Sequence, residues 1–311
     1  MRSRITPDAI PRRGVLSLLF LAAAAVATTG CHPGNAEAKQ LQRSCETGES
    51  PACNQLALRL QKGRYILQDE TRAAALFEQA CKGGVGAGCA SLGVVYQGGK
   101  GVRRDSVRAL GFLRQGCDRG AMDGCTRLGI LYKEGAGVTR DAARAASLFR
   151  QACDAGEMSG CGHLGTLYAA GIGVAQDFTR AAALLEKSCG AKSALGCLGL
   201  GRLYASGTVV PRNDSTAAAL FDQACTGGET AGCFHRATAY EAGLGVTQKL
   251  DSAATLYRQA CDDRHGEACA RLAALYDRGA GVRRQPDRAK EFRKLACDYG
   301  HSESCDKPKV T

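Results

Sequence analysis

The apolar positions of segment 117–152, CDRGAMDGCTRLGILYKEGAGVTRDAARAASLFRQA, fall on two stripes at helical spacing. Leu128, Leu131 and Tyr132 share one face of a helix predicted over about 124–133. Gly135, Gly137 and Val138 break that pattern and predict a turn. Ala142, Ala145, Leu148, Phe149 and Ala152 then mark a second helix. Asp141 stands where its carboxylate can accept from the unpaired N–H groups of the first turn. Cys153 falls in the last turn, and Gly156 suits a left-handed residue beyond the helix end.

The same columns return every 36 residues. One holds Tyr96, Tyr132, Tyr168, Tyr204, Tyr240 and Tyr276; another holds the turn glycines Gly63, Gly99, Gly135, Gly171, Gly207, Gly243 and Gly279. Val102, Val138, Val174, Val210, Val246 and Val282 follow the turns. A fixed period of this length predicts stacked units, each completing its core against the next. The position after the first-helix leucine is always small: Ala57, Gly93, Gly129, Gly165, Gly201, Ala237 and Ala273. Glycine inside a helix costs about 1 kcal/mol against alanine, so its recurrence predicts a second helix passing close by. The alanine column Ala73, Ala109, Ala145, Ala181, Ala217, Ala253 and Ala289 is the expected facing surface.

The cysteines keep the same ruler. Cys45, Cys81, Cys117, Cys153, Cys189, Cys225, Cys261 and Cys297 are 36 residues apart. Each has a partner eight positions on: Cys53, Cys89, Cys125, Cys161, Cys197, Cys233, Cys269 and Cys305. The motif L-G-x-x-Y-x-x-G-x-G-V, followed by a capped alanine-rich helix, resembles the Sel1-like repeat, and the added C-x7-C resembles its cysteine-rich bacterial branch, the Hcp proteins. The resemblance covers 37–305 and implies an all-α, right-handed, TPR-like αα-superhelix of seven units with partial ends, a lone helix around 37–45 and a stub after Cys297. The first and sixth units show departures from the motif. The first has Leu60 in the tyrosine column and Tyr65 at the second turn glycine; the sixth has Arg236 in the leucine column, and Glu241 is poorly placed to neutralise it.

Each cysteine pair flanks a seven-residue connection between antiparallel helices, which lets the two Cα atoms approach bridging distance. The Hcp resemblance implies the same pairing, Cys45–Cys53 onward. In the chain-entropy account one such closure contributes roughly 2.6 kcal/mol. Structural zinc sites use closer cysteine spacing, and no C-x-x-C is present, so neither a metal nor a cofactor is expected.

Composition adds the compartment. Residues 1–30, with arginines followed by an apolar run at 15–27 and then small residues, read as an export signal, and the run is too short to span a membrane. Export implies an oxidising destination. Cys31 is the one cysteine off the ruler; with Ala27-Thr28-Thr29-Gly30 before it, it resembles the lipobox of bacterial lipoproteins, although Thr28 stands where leucine is usual. The resemblance implies acylation of Cys31, and His32 implies sorting to the outer membrane. Residues 31–36 would be a tether, 37–305 the solenoid and 306–311 a tail. The net charge of +11 falls to +8 without the first 30 residues, which favours anionic partners. No basic block with interleaved aromatics points to nucleic acid.

One column of the first helix is polar: Gln55, Ser91, Arg127, His163, His235 and Arg271, with Gly199 among them. It is the expected binding stripe of a concave face, and an ordinary solvated helix face is the competing expectation. Some Hcp proteins are described as penicillin-binding and as weak β-lactamases, which sets a hydrolase as the alternative. The one S-x-x-K, Ser304 to Lys307, falls in the terminal stub without S-D-N or K-T-G companions. The resulting expectation is a monomeric, lipid-anchored envelope scaffold without a catalytic residue, touching the membrane through its anchor alone. It would bind a protein or peptide, with an anionic or peptidoglycan-related glycan as a further candidate.

Overall fold

The computed structural model describes residues 33–305, and all regular structure there is helical. The leader 1–30, Cys31 and the tail 306–311 lie outside the described residues. Helix α1 (Pro33–Glu46) precedes seven helix pairs. The first helices are α2 (Ser50–Lys62), α4 (Gly86–Gly98), α6 (Met122–Glu134), α8 (Met158–Ala170), α10 (Ala194–Ser206), α12 (Thr230–Ala242) and α14 (Gly266–Arg278). The second helices are α3 (Glu70–Lys82), α5 (Ser106–Asp118), α7 (Ala142–Asp154), α9 (Phe178–Gly190), α11 (Asp214–Thr226), α13 (Leu250–Asp262) and α15 (Pro286–Asp298). A 3-10 turn, Ser302–Ser304, closes the described chain.

Five of the seven second helices start at a polar side chain that caps them. Asp69, Asp105, Asp141, Asp177 and Asn213 each accept from a backbone N–H of the first turn. The first helices stop at left-handed glycines, from Gly63 to Gly279. The second turn glycine does more than turn the chain. A Cβ on Gly101, Gly173, Gly245 or Gly281 would strike the backbone at Glu70, Ala142, Asp214 or Leu250 respectively, in the first turn of the preceding unit's second helix. Glycine recurs in this column because one unit's turn docks on its neighbour.

Two expectations need correction. Positions 33–36, expected within the tether, form the first turn of α1. Proline is tolerated there because its missing N–H would have no helical acceptor. Gly34 fits against the Tyr65 ring, so the glycine lies on the opposite side of the contact that Gly101 makes with Glu70. The small first-helix column also meets a different partner from the one expected. A Cβ on Gly93 or Gly165 would come within 2.6 or 2.8 Å of Leu113 or Leu185 Cγ, and on Gly129 or Gly201 within 2.7 or 2.8 Å of Phe149 or Phe221 Cε1. The alanine column is buried beside them and offers backbone, such as Ala109 O at 3.1 Å from the Gly93 position. Leucine and phenylalanine side chains, rather than alanines, fill the space that glycine opens.

All eight cysteine pairs are disulfides, with Cα–Cα distances from 4.4 to 4.8 Å. Six tie the last turn of one second helix to the first turn of the next unit's first helix, while Cys45–Cys53 joins α1 to α2 and Cys297–Cys305 joins α15 to the residue after the 3-10 turn. The stapled turn needs a left-handed residue, supplied by Gly156 (φ 89°) and its equivalents but by Lys192 (φ 63°) and Arg264 (φ 67°) in two units. One bridge has a cation on it: Arg119 Nη1 lies 2.9 Å from Cys89 Sγ and donates to Cys81 O at 2.7 Å.

The apolar core is continuous from Leu113 to Ala224 and resumes as a second cluster from Cys225 to Ala296. Arg236 sits at that break. Its guanidinium donates to Ala218 O (3.1 Å) and Tyr240 Oη (3.0 Å) and lies over the Tyr240 ring. The acidic neighbour is Asp222, at 3.5 Å from Nε, while Glu241 is engaged elsewhere. Nε itself is buried without a hydrogen-bond acceptor.

Candidate functional site

Successive first helices touch one another, α4 with α6, α6 with α8, α8 with α10 and α10 with α12, whereas the second helices make no comparable contact among the described residues. The first helices therefore lie on the inner, concave side. The polar column runs along this side, one residue per unit. Gln55, Arg127 and Arg271 are exposed, while Ser91, His163 and His235 are half-buried.

The histidines differ from the expected basic stripe. His163 stacks on Phe149 and His235 on Phe221, both with ring centroids 4.8 Å apart. Burial first, then Lys133, pushes His163 down to about 4; burial, then Arg202 and His265, does the same to His235. Both imidazoles are neutral at pH 7 and are weak proton acceptors, so they add aromatic surface rather than charge. The positive charge of the stripe rests on arginines.

Sequence reading missed the residues that organise its C-terminal half. Arg202 Nε donates to His235 Nε2 at 3.2 Å, across two units. Phe234 stacks on His265 at 4.5 Å, and His265 Nδ1 accepts from Ala268 N as the N-cap of α14. Arg202 is three residues beyond Gly199, so extending the stripe by one helical turn would have found it. Phe234 gave no such signal, because its column is otherwise occupied by small or varied residues.

Glu241 is the hub of a second cluster. It accepts from Tyr257 Oη (2.8 Å) and Arg278 Nη2 (3.2 Å), with Arg271 Nη1 at 4.0 Å, and joins α12, α13 and α14. Arg271 thus has acidic neighbours in Glu241 and Glu267, whereas Arg127 is the exposed cation of the polar column in the middle units. Ser304 Oγ lies 2.8 Å from His301 Nδ1, a local contact across the terminal 3-10 turn. Among the described residues no group of three or more His, Cys, Asp or Glu converges on a metal site, and no helix is long and apolar enough to cross a membrane.

The family model for the Sel1 repeat matches seven times, at 50–85, 86–120, 123–157, 160–192, 194–229, 230–265 and 266–301. The chain is a Sel1 repeat protein. The matched units are the helix pairs described above, and Sel1 repeats generally mediate protein–protein interaction as a scaffold. No curated protein matches the chain. Among solved structures, it resembles a protective antigen of uropathogenic Escherichia coli that displays an SLR fold, at 30% identity and a TM-score of 0.61 over 86% of this chain. It spans 57% of that antigen's length. A Sel1 repeat protein from Oxalobacter formigenes is 24% identical with a TM-score of 0.61, covering 86% of this chain and 77% of its own. Helicobacter pylori cysteine-rich protein B is 28% identical, with 41% of this chain and 96% of that one covered, at a TM-score of 0.35.

Proposed function

We propose that this Sel1 repeat protein is an exported scaffold, held in the bacterial envelope by an acylated Cys31, that binds a protein or peptide along its concave face. The observation that carries the reading is the file of first-helix side chains on the inner side of the stack, Arg127, His163, Arg202, His235 and Arg271. A curved surface several units long suits an extended partner better than a small substrate. Eight disulfides support an oxidising compartment, where such bonds persist. The lipobox-like sequence before Cys31 supports anchoring at the outer membrane.

A photo-crosslinking amino acid at Arg127 or Arg271, compared with one at Ser147 on the outer helix α7, tests the face in intact cells. Adducts to a protein from the concave positions alone are expected; equal yields from Ser147 would reject the face. The mass of the mature N-terminal peptide tests the anchor, since a peptide beginning at Thr28 would reject acylation. Hydrolysis of a chromogenic cephalosporin that is lost on replacing a single serine would replace the scaffold reading with the hydrolase one.

A further inference from the structure

The first unit exposes a leucine in a loop column where no other unit carries a large apolar side chain. Leu67 is 91% exposed and Tyr65 is 40% exposed. The residues equivalent to Leu67 are Arg103, Thr139, Ala175, Pro211, Thr247 and Arg283, so a large apolar side chain occurs at this column in the first unit alone. Tyr65 has a packing role, because its ring covers Gly34 in the first turn of α1. Leu67 covers almost nothing. It forms the rim of a cleft against α1, with Leu56, Leu60 and Ile66 as floor and wall and Lys39 and Arg72 at the edge.

The Gly34–Tyr65 contact also fixes where the N-terminal segment joins the fold. Cys31 is three residues before Gly34, so its backbone lies within about 11 Å of Gly34, the residue that the Tyr65 ring covers, even when the chain is fully extended. Lys39, Lys62, Arg64 and Arg72 are exposed around the loop, and Arg64 lies over the Tyr65 ring. Of the acidic groups nearby, Glu37 pairs with Arg59, while Asp69, which caps α3, and Glu70, which accepts from Gln68, leave the four cations in excess around the loop. An apolar tip, an aromatic ring with a polar end and a basic collar are the combination that settles at a membrane–water interface.

We propose that the loop 63–68 is a membrane contact, with Leu67 and Tyr65 inserted at the surface of an anionic phospholipid leaflet and the basic collar on its headgroups. The contact adds to the acyl anchor. A lipid at Cys31 tethers the chain without orienting it, and a second contact beside the point where the N-terminal segment joins the fold sets the tilt of the solenoid. The proposal rests on the envelope reading only in placing a bilayer beside this end of the fold.

The chain contains no tryptophan, so Leu67→Trp introduces a single reporter. Thr139→Trp places the same reporter at the equivalent position of the third unit. Each full-length variant is examined in two forms: recovered from membranes with Cys31 intact, and as Cys31→Ser added to phosphatidylethanolamine–phosphatidylglycerol vesicles carrying brominated acyl chains. The expected result is blue-shifted emission quenched by the brominated lipid for Leu67→Trp, and water-exposed emission for Thr139→Trp. Leu67→Gln should weaken vesicle partitioning of the Cys31→Ser chain about tenfold. Water-exposed emission from Leu67→Trp in both forms overturns the proposal and leaves anchoring untouched, because the N-terminal peptide mass reads anchoring separately. Equal quenching at both positions overturns it as unspecific adsorption. A blue shift without lipid quenching overturns it in favour of a protein occupant.

Discussion

Two glycine-to-alanine substitutions test whether the recurring first-helix glycine is a packing requirement. Gly129 lies in α6 and Gly111 in α5, both inside 13-residue helices. Alanine should gain about 1 kcal/mol of helix propensity at either site. At Gly111 the added methyl meets nothing within 4 Å, so that gain should appear in full as increased stability. At Gly129 it would lie 2.7 Å from Cε1, 2.9 Å from Cδ1 and 3.1 Å from Cζ of Phe149, whose ring is fully buried and stacked on His163. Overpacking a filled core costs about 1–3 kcal/mol, so Gly129→Ala should be neutral to about 2 kcal/mol destabilising. Urea unfolding with the disulfides intact reads both variants, and their midpoints should move apart, Gly111→Ala upward and Gly129→Ala level or downward. A Gly129→Ala midpoint raised as far as that of Gly111→Ala would show that the ring moves aside freely, and the close-approach argument would fail.

Acid should weaken the fold through the histidines. His163 binds its proton near 6.5 when unfolded and about 4 when folded, so the unfolded chain holds more protons between these values and stability falls as pH drops from 6.5 to 4. The full effect is on the order of 3 kcal/mol, and His163→Phe should flatten that part of the stability–pH profile; an unchanged profile would reject burial as the cause. Arg236→Leu should restore the leucine column and raise stability by about 1 kcal/mol, whereas Arg236→Ala should lower it by about 2 kcal/mol, since a buried cation is often replaced favourably by an apolar group but not by a void. Destabilisation by the leucine variant would show that the contacts with Ala218 and Tyr240 are worth more than the packing. Under graded dithiothreitol, Cys81–Cys89 should open earlier than the equally buried Cys153–Cys161, because Arg119 favours the departing Cys89 thiolate. Peptide mapping checks the order, and Arg119→Gln should remove the difference.

Much of the architecture follows from local sequence. The 36-residue period, the Asp141 cap column, the turn glycines and the C-x7-C spacing are properties of short segments, and each predicts its own element without knowledge of the rest. The disulfide pairing was legible for the same reason: both cysteines belong to one connection, so a local turn brings them together. The polar stripe was legible only as a column. That it lies on the inner side depends on first helices packing closer than second helices, which is a relation between units.

Sequence alone therefore determined the unit, its repetition and its staples, because these depend on periodicity and on contacts within about forty residues. Tertiary structure decided the chemistry of the surface. His163 and His235 are polar letters in a column, yet stacking on Phe149 and Phe221 makes them neutral aromatic surface. Arg236 is a defect in a leucine column until Asp222, Ala218 and Tyr240 surround it. Leu67 is an ordinary leucine in a loop, and only its 91% exposure beside the N-terminal end of the stack makes it a candidate for the bilayer. A side chain's charge and exposure depend on neighbours from adjacent units, and the stacking of those units, rather than the repeat, sets which neighbours each one meets.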